Sequence, residues 1–155
     1  MVNILFVCLG NICRSPMAEA ILRQKVSASG LEEQIHIESA GTGHWHVGNP
    51  PHEGTLDILA ENDIDSSGMK ARQVIEDDLE QFDIVVAMDA ENLGHLHTLK
   101  KPDQEVEITR LLDYAEDADE NDVPDPFFTG NFDEVYAMID SACNTLLEEV
   151  KEEWL

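Results

Sequence analysis

Short hydrophobic runs and amphipathic stretches alternate along this chain. Residues 3–7 and 82–88 are almost continuously apolar and have the length of buried parallel strands. Residues 34–39 alternate apolar and polar side chains, which predicts a strand near a sheet edge, and residues 105–112 predict a fourth strand. Apolar residues with helical spacing lie between these runs. The alternation predicts an α/β fold in which one parallel sheet carries helices on both faces.

Helical spacing is clearest near the end of the chain, where residues 132–150 place apolar side chains on one face. The first helix is predicted to begin at Pro16, with Ser15 as its N-cap. Further helices are predicted at residues 51–61, 75–81 and 90–100. Residues 41–51 and 113–128 are predicted loops, and the second is long enough to suggest a functional role.

The connection from the first strand to the first helix, Cys8 to Ser15, has the composition of an anion-binding loop. Backbone N–H groups of such a loop point inward and are free to bind a tetrahedral oxyanion. Gly10 allows close approach, Asn11 tolerates a left-handed conformation, and the guanidinium of Arg14 matches two phosphate oxygens. The same field favours a thiolate at Cys8, which is then a nucleophile for phosphorus. The alternative is that Cys8 simply fills space at a strand end.

The composition argues against several classes of function. The chain has 155 residues, which suits a single domain spanning residues 1–155. Its formal net charge of −24, from 33 acidic and 9 basic residues, argues against a nucleic-acid partner and against anionic membrane surfaces. No run approaches the roughly 20 apolar residues that span a bilayer, and no basic region precedes the first strand as in a signal peptide. We therefore expect a cytoplasmic protein.

Neither the cysteines nor the histidines predict a metal site. The three cysteines, Cys8, Cys13 and Cys143, include no Cys-x2-Cys pair and do not suggest a disulfide framework. Cys143 falls on the apolar side of the last predicted helix, where a core position is expected. Four of the histidines form pairs two residues apart, a spacing that turns their rings away from each other on a helix. We expect no metal and no cofactor.

The segment from Val7 to Pro16, Val-Cys-Leu-Gly-Asn-Ile-Cys-Arg-Ser-Pro, resembles the N-terminal motif of the low-molecular-weight protein tyrosine phosphatases, whose size is also similar. Further short matches are Ser39-Ala40-Gly41-Thr42, Gly48-Asn49-Pro50-Pro51, Ala71-Arg72-Gln73, Met88-Asp89 and Asp125-Pro126-Phe127-Phe128. Each is weak alone, but their order and spacing are specific and cover nearly the whole chain. The resemblance implies a three-layer, phosphatase-I or flavodoxin-like fold with a four-stranded parallel sheet in the order 2-1-3-4.

The resemblance also implies a reaction, the hydrolysis of phosphotyrosine and aryl phosphates without a metal. Cys8 would attack phosphorus and form a phosphocysteine, Arg14 would hold the phosphate oxygens, and Asp125 would protonate the leaving oxygen. The phosphate-binding residues would be Leu9, Gly10, Asn11, Ile12, Cys13, Arg14 and Ser15. By composition alone, Asp125 is one of several acids on a solvated loop. The nearby acids are expected to be surface charges: Asp117, Asp119, Glu120 and Asp122.

Other residues would support the loop and shape the pocket. The resemblance implies that the loop is held by Asn11, Ser15, Ser39 and Asp89, with the Ser15 hydroxyl also donating to the cysteine sulfur. It implies a substrate pocket lined by Ile12, Trp45, Phe127 and Phe128, where many relatives have tyrosines in place of the phenylalanines. By residue type alone, Trp45 could instead cap the core and the phenylalanines could belong to it. Cys13 would form a reversible disulfide with Cys8, and Arg72 is expected to be a buried ion-pair partner.

Three other functions remain open. An arsenate reductase of the same fold would relay electrons through further cysteines, and residues 14–142 contain none. A protein arginine phosphatase would carry threonine at the position of Ile12. A non-catalytic phosphate-binding module would need neither Cys8 nor Asp125. The expected partners are a phosphotyrosine-containing protein and inorganic phosphate or another oxyanion in the loop, and the expected state is a monomer or weak dimer.

Overall fold

Four parallel strands form the central sheet, in the order β2-β1-β3-β4. They are β1 (Val2–Cys8), β2 (Ile35–Gly41), β3 (Ile84–Ala87) and β4 (Glu107–Arg110). The computed structural model of the chain describes residues 1–115 and 121–155. Because β1 pairs with β2 on one side and β3 on the other, it lies inside the sheet, and Cys8 at its carboxyl end lies beside Gly41. The predicted strand order and the predicted edge position of β2 are confirmed.

Helices cover both faces of this sheet, as predicted. They are α1 (Arg14–Ala28), α2 (Glu53–Glu61), α3 (Asp78–Gln81), α4 (Ala90–Leu99), α5 (Pro126–Thr129) and α6 (Phe132–Glu153), with a 3-10 helix at Leu111–Tyr114. Ile4 and Phe6 of β1 join one buried cluster with α1 and α6, whereas Leu5 and Val7 join another with α3 and α4. Successive strand side chains point to opposite faces, so β1 contributes to both cores. Within residues 1–115 and 121–155, no helix combines the length and the apolar character needed to cross a membrane.

The first helix begins earlier than predicted. It starts at Arg14, and Cys13 occupies the N-cap position without a side-chain hydrogen bond. The prediction that Ser15 caps this helix is wrong, because Ser15 lies inside the first turn and its Oγ is 3.0 Å from the Sγ of Cys8. Pro16 is tolerated there because N–H groups of the first turn have no partner within the helix.

The second half of the chain differs from prediction at two places. β4 ends at Arg110 and continues as a 3-10 helix, although a strand was predicted to residue 112. The predicted loop at residues 113–128 contains the start of the one-turn helix α5, which begins at Pro126. Residues 116–120, which include three of the acids predicted to be surface charges, Asp117, Asp119 and Glu120, lie outside the described residues.

Gly41, at the end of β2, leaves no space for a side chain. A Cβ atom there would lie 2.9 Å from the carbonyl oxygen of Leu9 and 3.0 Å from the backbone nitrogen of Asn11. We expect Gly41→Ala to lower the free energy of unfolding by about 1–3 kcal/mol, measured by urea denaturation. The matched control is Gly94→Ala in α4, where nothing lies within 4 Å of the added methyl group. It should raise stability by about 0.5–1 kcal/mol. Equal stability of Gly41→Ala and the parent chain would contradict this close approach.

Candidate active site

The loop between β1 and α1 surrounds the sulfur of Cys8, which is 3% exposed. The backbone N–H of Asn11 donates to this Sγ over 3.3 Å, and the hydroxyl of Ser15 lies 3.0 Å from the same atom. Asn11 has a φ of 57°, a left-handed conformation that asparagine tolerates better than most residues. Hydrogen bonds to sulfur stabilise its anion more than its thiol. The backbone of the loop is therefore shaped around a nucleophilic sulfur.

A buried network of side chains holds Asn11 in this conformation. Its amide nitrogen Nδ2 donates to Ser15 Oγ over 2.8 Å and to Ser39 Oγ over 2.9 Å, while its Oδ1 accepts from the backbone N–H of Arg72 over 3.0 Å. Ser39 Oγ in turn donates to Glu19 Oε1 over 2.6 Å. Three of the four predicted supports, Asn11, Ser15 and Ser39, thus lie in one network. Glu19 was not predicted, because a single glutamate on a helix has no local signal for burial.

Arg14 is 2% exposed and is held by acceptors from distant parts of the chain. Its Nη1 lies 2.7 Å from Asp89 Oδ2 and 3.0 Å from the carbonyl oxygen of Val123, and its Nη2 lies 3.4 Å from Asp125 Oδ2. Burial acts to lower the pKa of Arg14, but the charges of Cys8 and the two carboxylates outweigh it and raise the pKa above its usual value. Among the described residues, no acceptor satisfies the buried Nε. A buried cation with an unsatisfied donor suits an oxyanion.

Asp125 begins α5 and belongs to the same site. Its Oδ1 accepts from the N–H of Phe127 over 3.1 Å, which makes it the N-cap, and Pro126 follows at the first helical position. The helix ends at Gly130, which has a φ of 75°. An Asp-Pro start and a glycine end are helix signals that the sequence analysis missed. This short helix places a carboxyl group beside Arg14.

A cavity of about 270 Å³ opens at this loop. Cys8 and Asp125 both line it, so the predicted nucleophile and the predicted proton donor face the same space. The lining residues are Cys8, Leu9, Gly10, Ile12, Cys13, Trp45, His46, Asp125, Phe127 and Phe128. All four predicted pocket residues are among them. The predicted loop supports Asn11, Ser15, Ser39 and Asp89 are not, and they contact the loop or Arg14 instead.

The aromatic residues of the cavity belong to its open mouth. Trp45 is 64% exposed, Phe127 48% and Phe128 74%, so the alternative that these rings cap or fill the core is wrong. The two phenylalanine rings meet edge to face with their centroids 5.1 Å apart. Solvent-exposed rings beside the Cys8 loop form a wall suited to a flat aromatic substrate.

His46 lines the cavity beside these rings, and His52, which does not line it, packs against Phe127; neither was predicted to belong to the site. Their ring centroids lie 6.1 and 5.9 Å from that of Phe127. A Cβ added to Gly10 would come within 3.0 Å of His46, which shows how closely that ring approaches the loop. The spacing of histidine pairs bears only on metal binding, and a single histidine at the rim has no periodic pattern that would reveal it.

Two further predicted residues have structural contacts. Asp89 caps α4 by accepting from the N–H of Asn92 over 2.8 Å, and its other oxygen binds Arg14. Arg72 forms two contacts of 3.0 Å with Asp78, as expected of an ion-pair partner. Its side chain is nevertheless 34% exposed, so the expectation that the pair is buried is only partly met.

Only one of the three cysteines should react with an alkylating reagent. Burial, followed by the charges of Asp125 and Cys8, raises the pKa of the Cys13 thiol to about 12. Burial also raises the pKa of Cys143 to about 12. At pH 7 both remain unreactive thiols, because the thiolate is the reacting form. We expect iodoacetamide to add one label per chain, at Cys8, as measured by peptide mass spectrometry. Labelling of Cys13 or Cys143 in the folded protein would contradict this expectation.

Comparison with known proteins identifies the family. The family described as low molecular weight phosphotyrosine protein phosphatase matches residues 3–154. The chain belongs to this family. It is 55% identical over 153 residues to the low molecular weight protein-tyrosine-phosphatase YfkJ of Bacillus subtilis, which covers 99% of this chain and 98% of that protein. PtpA of Staphylococcus saprophyticus is 45% identical over 147 residues, 95% of this chain and 92% of PtpA.

Solved structures agree with this assignment to the low molecular weight phosphatases. The crystal structure of YfkJ has a TM-score of 0.97 at 54% identity and covers 100% of this chain and 98% of its own. That of DARP, a Drosophila arginine phosphatase, has a TM-score of 0.90 at 31% identity and covers 97% and 98%. The predicted family, fold and cysteine-dependent protein tyrosine phosphatase class are confirmed, and none of the three alternatives, the arsenate reductase, the arginine phosphatase and the non-catalytic module, is favoured.

Proposed function

We propose that this phosphatase releases phosphate from phosphotyrosine in proteins through a phosphocysteine formed on Cys8. The observation that carries this proposal is the cavity that Cys8 and Asp125 both line, together with Arg14, which does not line it but whose Nη2 lies 3.4 Å from Asp125 Oδ2. A nucleophile, an oxyanion cradle and a proton donor are the three groups that metal-free phosphoryl transfer needs.

In the first step the thiolate of Cys8 attacks phosphorus opposite the tyrosine oxygen. The P–O bond breaks while an S–P bond forms, and Asp125 gives its proton to the phenolic oxygen. Backbone N–H groups of residues 9–15 and the guanidinium of Arg14 hold the three equatorial oxygens, where charge accumulates in the transition state.

In the second step water hydrolyses the phosphocysteine. The Asp125 carboxylate accepts a proton from the attacking water, the S–P bond breaks, and inorganic phosphate leaves. The Ser15 hydroxyl, 3.0 Å from Sγ, donates to the departing thiolate and so eases the release of Cys8. Both steps use the same hydrogen-bond donors, the N–H groups of the loop and the guanidinium of Arg14, and no metal ion takes part.

The pocket favours an aromatic phosphate ester over phosphoarginine. Trp45, Phe127 and Phe128 offer apolar faces beside the loop, and stacked or edge-to-face aromatic contacts stabilise a bound ring. Ile12, at the position where arginine phosphatases carry threonine, is 8% exposed and adds a branched apolar surface to the cavity. Isoleucine at this position has no hydroxyl to hydrogen-bond the guanidinium of phosphoarginine, which a threonine would offer.

Release of phosphate from matched peptides tests this preference. Peptides of one sequence carrying phosphotyrosine, phosphoserine or phosphoarginine are compared by kcat/KM, in the presence of a chelator. We expect phosphotyrosine to be hydrolysed at least about tenfold faster than either alternative, the difference that one well-placed aromatic contact supports. Faster hydrolysis of the phosphoarginine peptide would overturn the substrate assignment, and loss of activity with chelator would overturn the metal-free mechanism.

Three sequence-based expectations stay predictions. Cys8 and Cys13 both line the cavity and are free thiols, which supports the proposed reversible disulfide between them under peroxide. An oxyanion such as inorganic phosphate is expected in the loop as the product of the reaction. A monomer or weak dimer in the cytoplasm remains the expected state.

A further inference from the structure

Glu19 lies on α1, outside the cavity, yet it is connected to the reacting sulfur. Its side chain is 11% exposed, with Oε1 accepting from Ser39 and Oε2 paired with the guanidinium of Arg23. Building on the phosphatase function proposed above, we propose that Glu19 is a positioning residue for Cys8. It determines which group donates at each step of a chain of hydrogen bonds. In the last step the Ser15 hydroxyl donates to the sulfur.

The direction of the chain follows from what each group can do. A carboxylate only accepts hydrogen bonds, so the hydroxyl of Ser39 must donate to Glu19 over their 2.6 Å contact. The oxygen of Ser39 is then left to accept from the amide nitrogen of Asn11, 2.9 Å away. At the other side of this amide, the backbone N–H of Arg72 requires an acceptor and so fixes Oδ1 of Asn11 towards it. The contacts of Nδ2 and of Oδ1 therefore require the same orientation of the Asn11 amide group.

The orientation of Asn11 determines what Ser15 does. The remaining Nδ2 hydrogen of Asn11 donates to Ser15 Oγ over 2.8 Å, so this oxygen acts as an acceptor there. The Ser15 proton can then go to the Sγ of Cys8 at 3.0 Å or to the carbonyl oxygen of Ala40 at 3.4 Å. The shorter contact and the negative charge of a thiolate both favour the sulfur. The carboxylate of Glu19, one helical turn after Ser15 on α1, thus leads to a donated hydrogen bond on the nucleophile.

Removing the charge of Glu19 should weaken this chain of hydrogen bonds without changing any residue that lines the cavity. In Glu19→Gln the new amide can donate to Ser39, which leaves the Ser39 hydroxyl proton without a fixed acceptor. The hydrogen bond from Asn11 to Ser39, which helps to hold Asn11 in its left-handed conformation, is then weaker. As a result, the hydrogen bond from Ser15 to Cys8 is also weaker. We expect kcat to fall about tenfold and KM to change less than about twofold, since one charge-assisted hydrogen bond is weakened and no substrate contact is lost.

A second readout does not depend on turnover. Iodoacetamide reacts with the thiolate of Cys8, so the rate of labelling as a function of pH reports how well the protein stabilises that anion. The other titratable or charged groups near the sulfur, Arg14, Cys13 and Asp125, are unchanged in the variant. We expect Glu19→Gln to label about tenfold more slowly at pH 6 and to approach the parent rate at high pH. A purely structural role for Glu19 would lower the thermal midpoint and leave this profile in place.

Matched variants complete the test. Arg23→Gln removes the other partner of the Glu19 carboxylate but keeps the bond from Ser39, and we expect its kcat within about twofold of the parent. Ser39→Ala cuts the chain without changing a charge and should reproduce the effect of Glu19→Gln. The double variant should be no slower than either single variant, because both act through one chain. If Glu19→Gln does not fold, Ser39→Ala alone still tests the proposal.

The outcomes separate this inference from the function on which it rests. A parent protein that does not hydrolyse phosphotyrosine would overturn the proposed function, while the labelling profiles would still report on Glu19. An unchanged labelling profile and kcat in Glu19→Gln or Ser39→Ala would overturn the positioning role. Additive losses in the double variant would also overturn it, because they would mean that the two residues act separately.

Discussion

Replacing Cys8 with serine should lower the turnover of para-nitrophenyl phosphate at least about 10⁴-fold, as expected when the only nucleophile of a covalent mechanism is removed. A serine hydroxyl is a far weaker nucleophile than a thiolate, because it stays protonated at neutral pH. The phosphocysteine route is therefore lost. The loop and Arg14 are retained, so the dissociation constant for vanadate or phosphate, measured by calorimetry, should change little.

Cys13→Ser is the matched control for this variant. It makes the same replacement of sulfur by oxygen in the same loop, but Cys13 has a pKa of about 12 and is not a nucleophile at neutral pH. We expect this variant to keep activity within about fivefold of the parent, the range of a buried isosteric change. If Cys8→Ser remains active or Cys13→Ser is equally inactive, the wrong sulfur has been assigned.

Replacing Asp125 with asparagine should slow phosphotyrosine hydrolysis by about 10²–10³-fold, the usual contribution of a general acid. Asparagine keeps the shape of the side chain and can still accept the N-cap hydrogen bond from Phe127, but it has no acidic proton to give. The loss should shrink when the leaving group is already acidic, as in difluoromethylumbelliferyl phosphate. A series of aryl phosphates therefore measures the role of Asp125 as a slope of log kcat/KM against leaving-group pKa.

The control for Asp125→Asn is Asp122→Asn, an identical change three residues earlier. Asp122 accepts from the N–H of Ala90 and pairs with Arg110 at 3.3 Å, and it does not line the cavity. Asp122→Asn should have the same leaving-group slope as the parent and a kcat/KM within about twofold of the parent value. If Asp125→Asn shows the same leaving-group slope as the parent, Asp125 is not the proton donor.

The chemistry of the loop was predictable because its determinants are close in sequence. Cys8 and Arg14 are separated by five residues, and the strand before them and the helix after them are both evident from their hydrophobic spacing. Gly10 and Asn11 allow the backbone to turn inward between them. Local turn chemistry therefore determines the shape of the loop, and the parallel sheet determines which end of β1 carries it.

The rest of the site depends on contacts between distant segments. Asp89 meets Arg14 because β3, just before it in the chain, lies beside β1, whereas Asp125 reaches the same guanidinium from the start of α5. Without the family resemblance they would be two acids among 33. Ser15 shows a competition that sequence rules do not resolve, since the same hydroxyl can cap a helix or bond to sulfur. Glu19 becomes buried only because β2 packs beside α1, and no local pattern encodes that packing.

The position of Cys8 on an inner strand has a consequence for how this enzyme can diversify. The nucleophile Cys8 is anchored at the end of β1, which neighbouring strands support on both sides, whereas the aromatic rim belongs to the connection after β2 and to α5. Mutations of Trp45, Phe127 or Phe128 can alter which phosphoprotein is preferred while Cys8, its loop and Asp125 are inherited intact. Duplicated copies of such a gene can therefore acquire new targets through changes at the rim, and directed evolution of substrate choice should begin there.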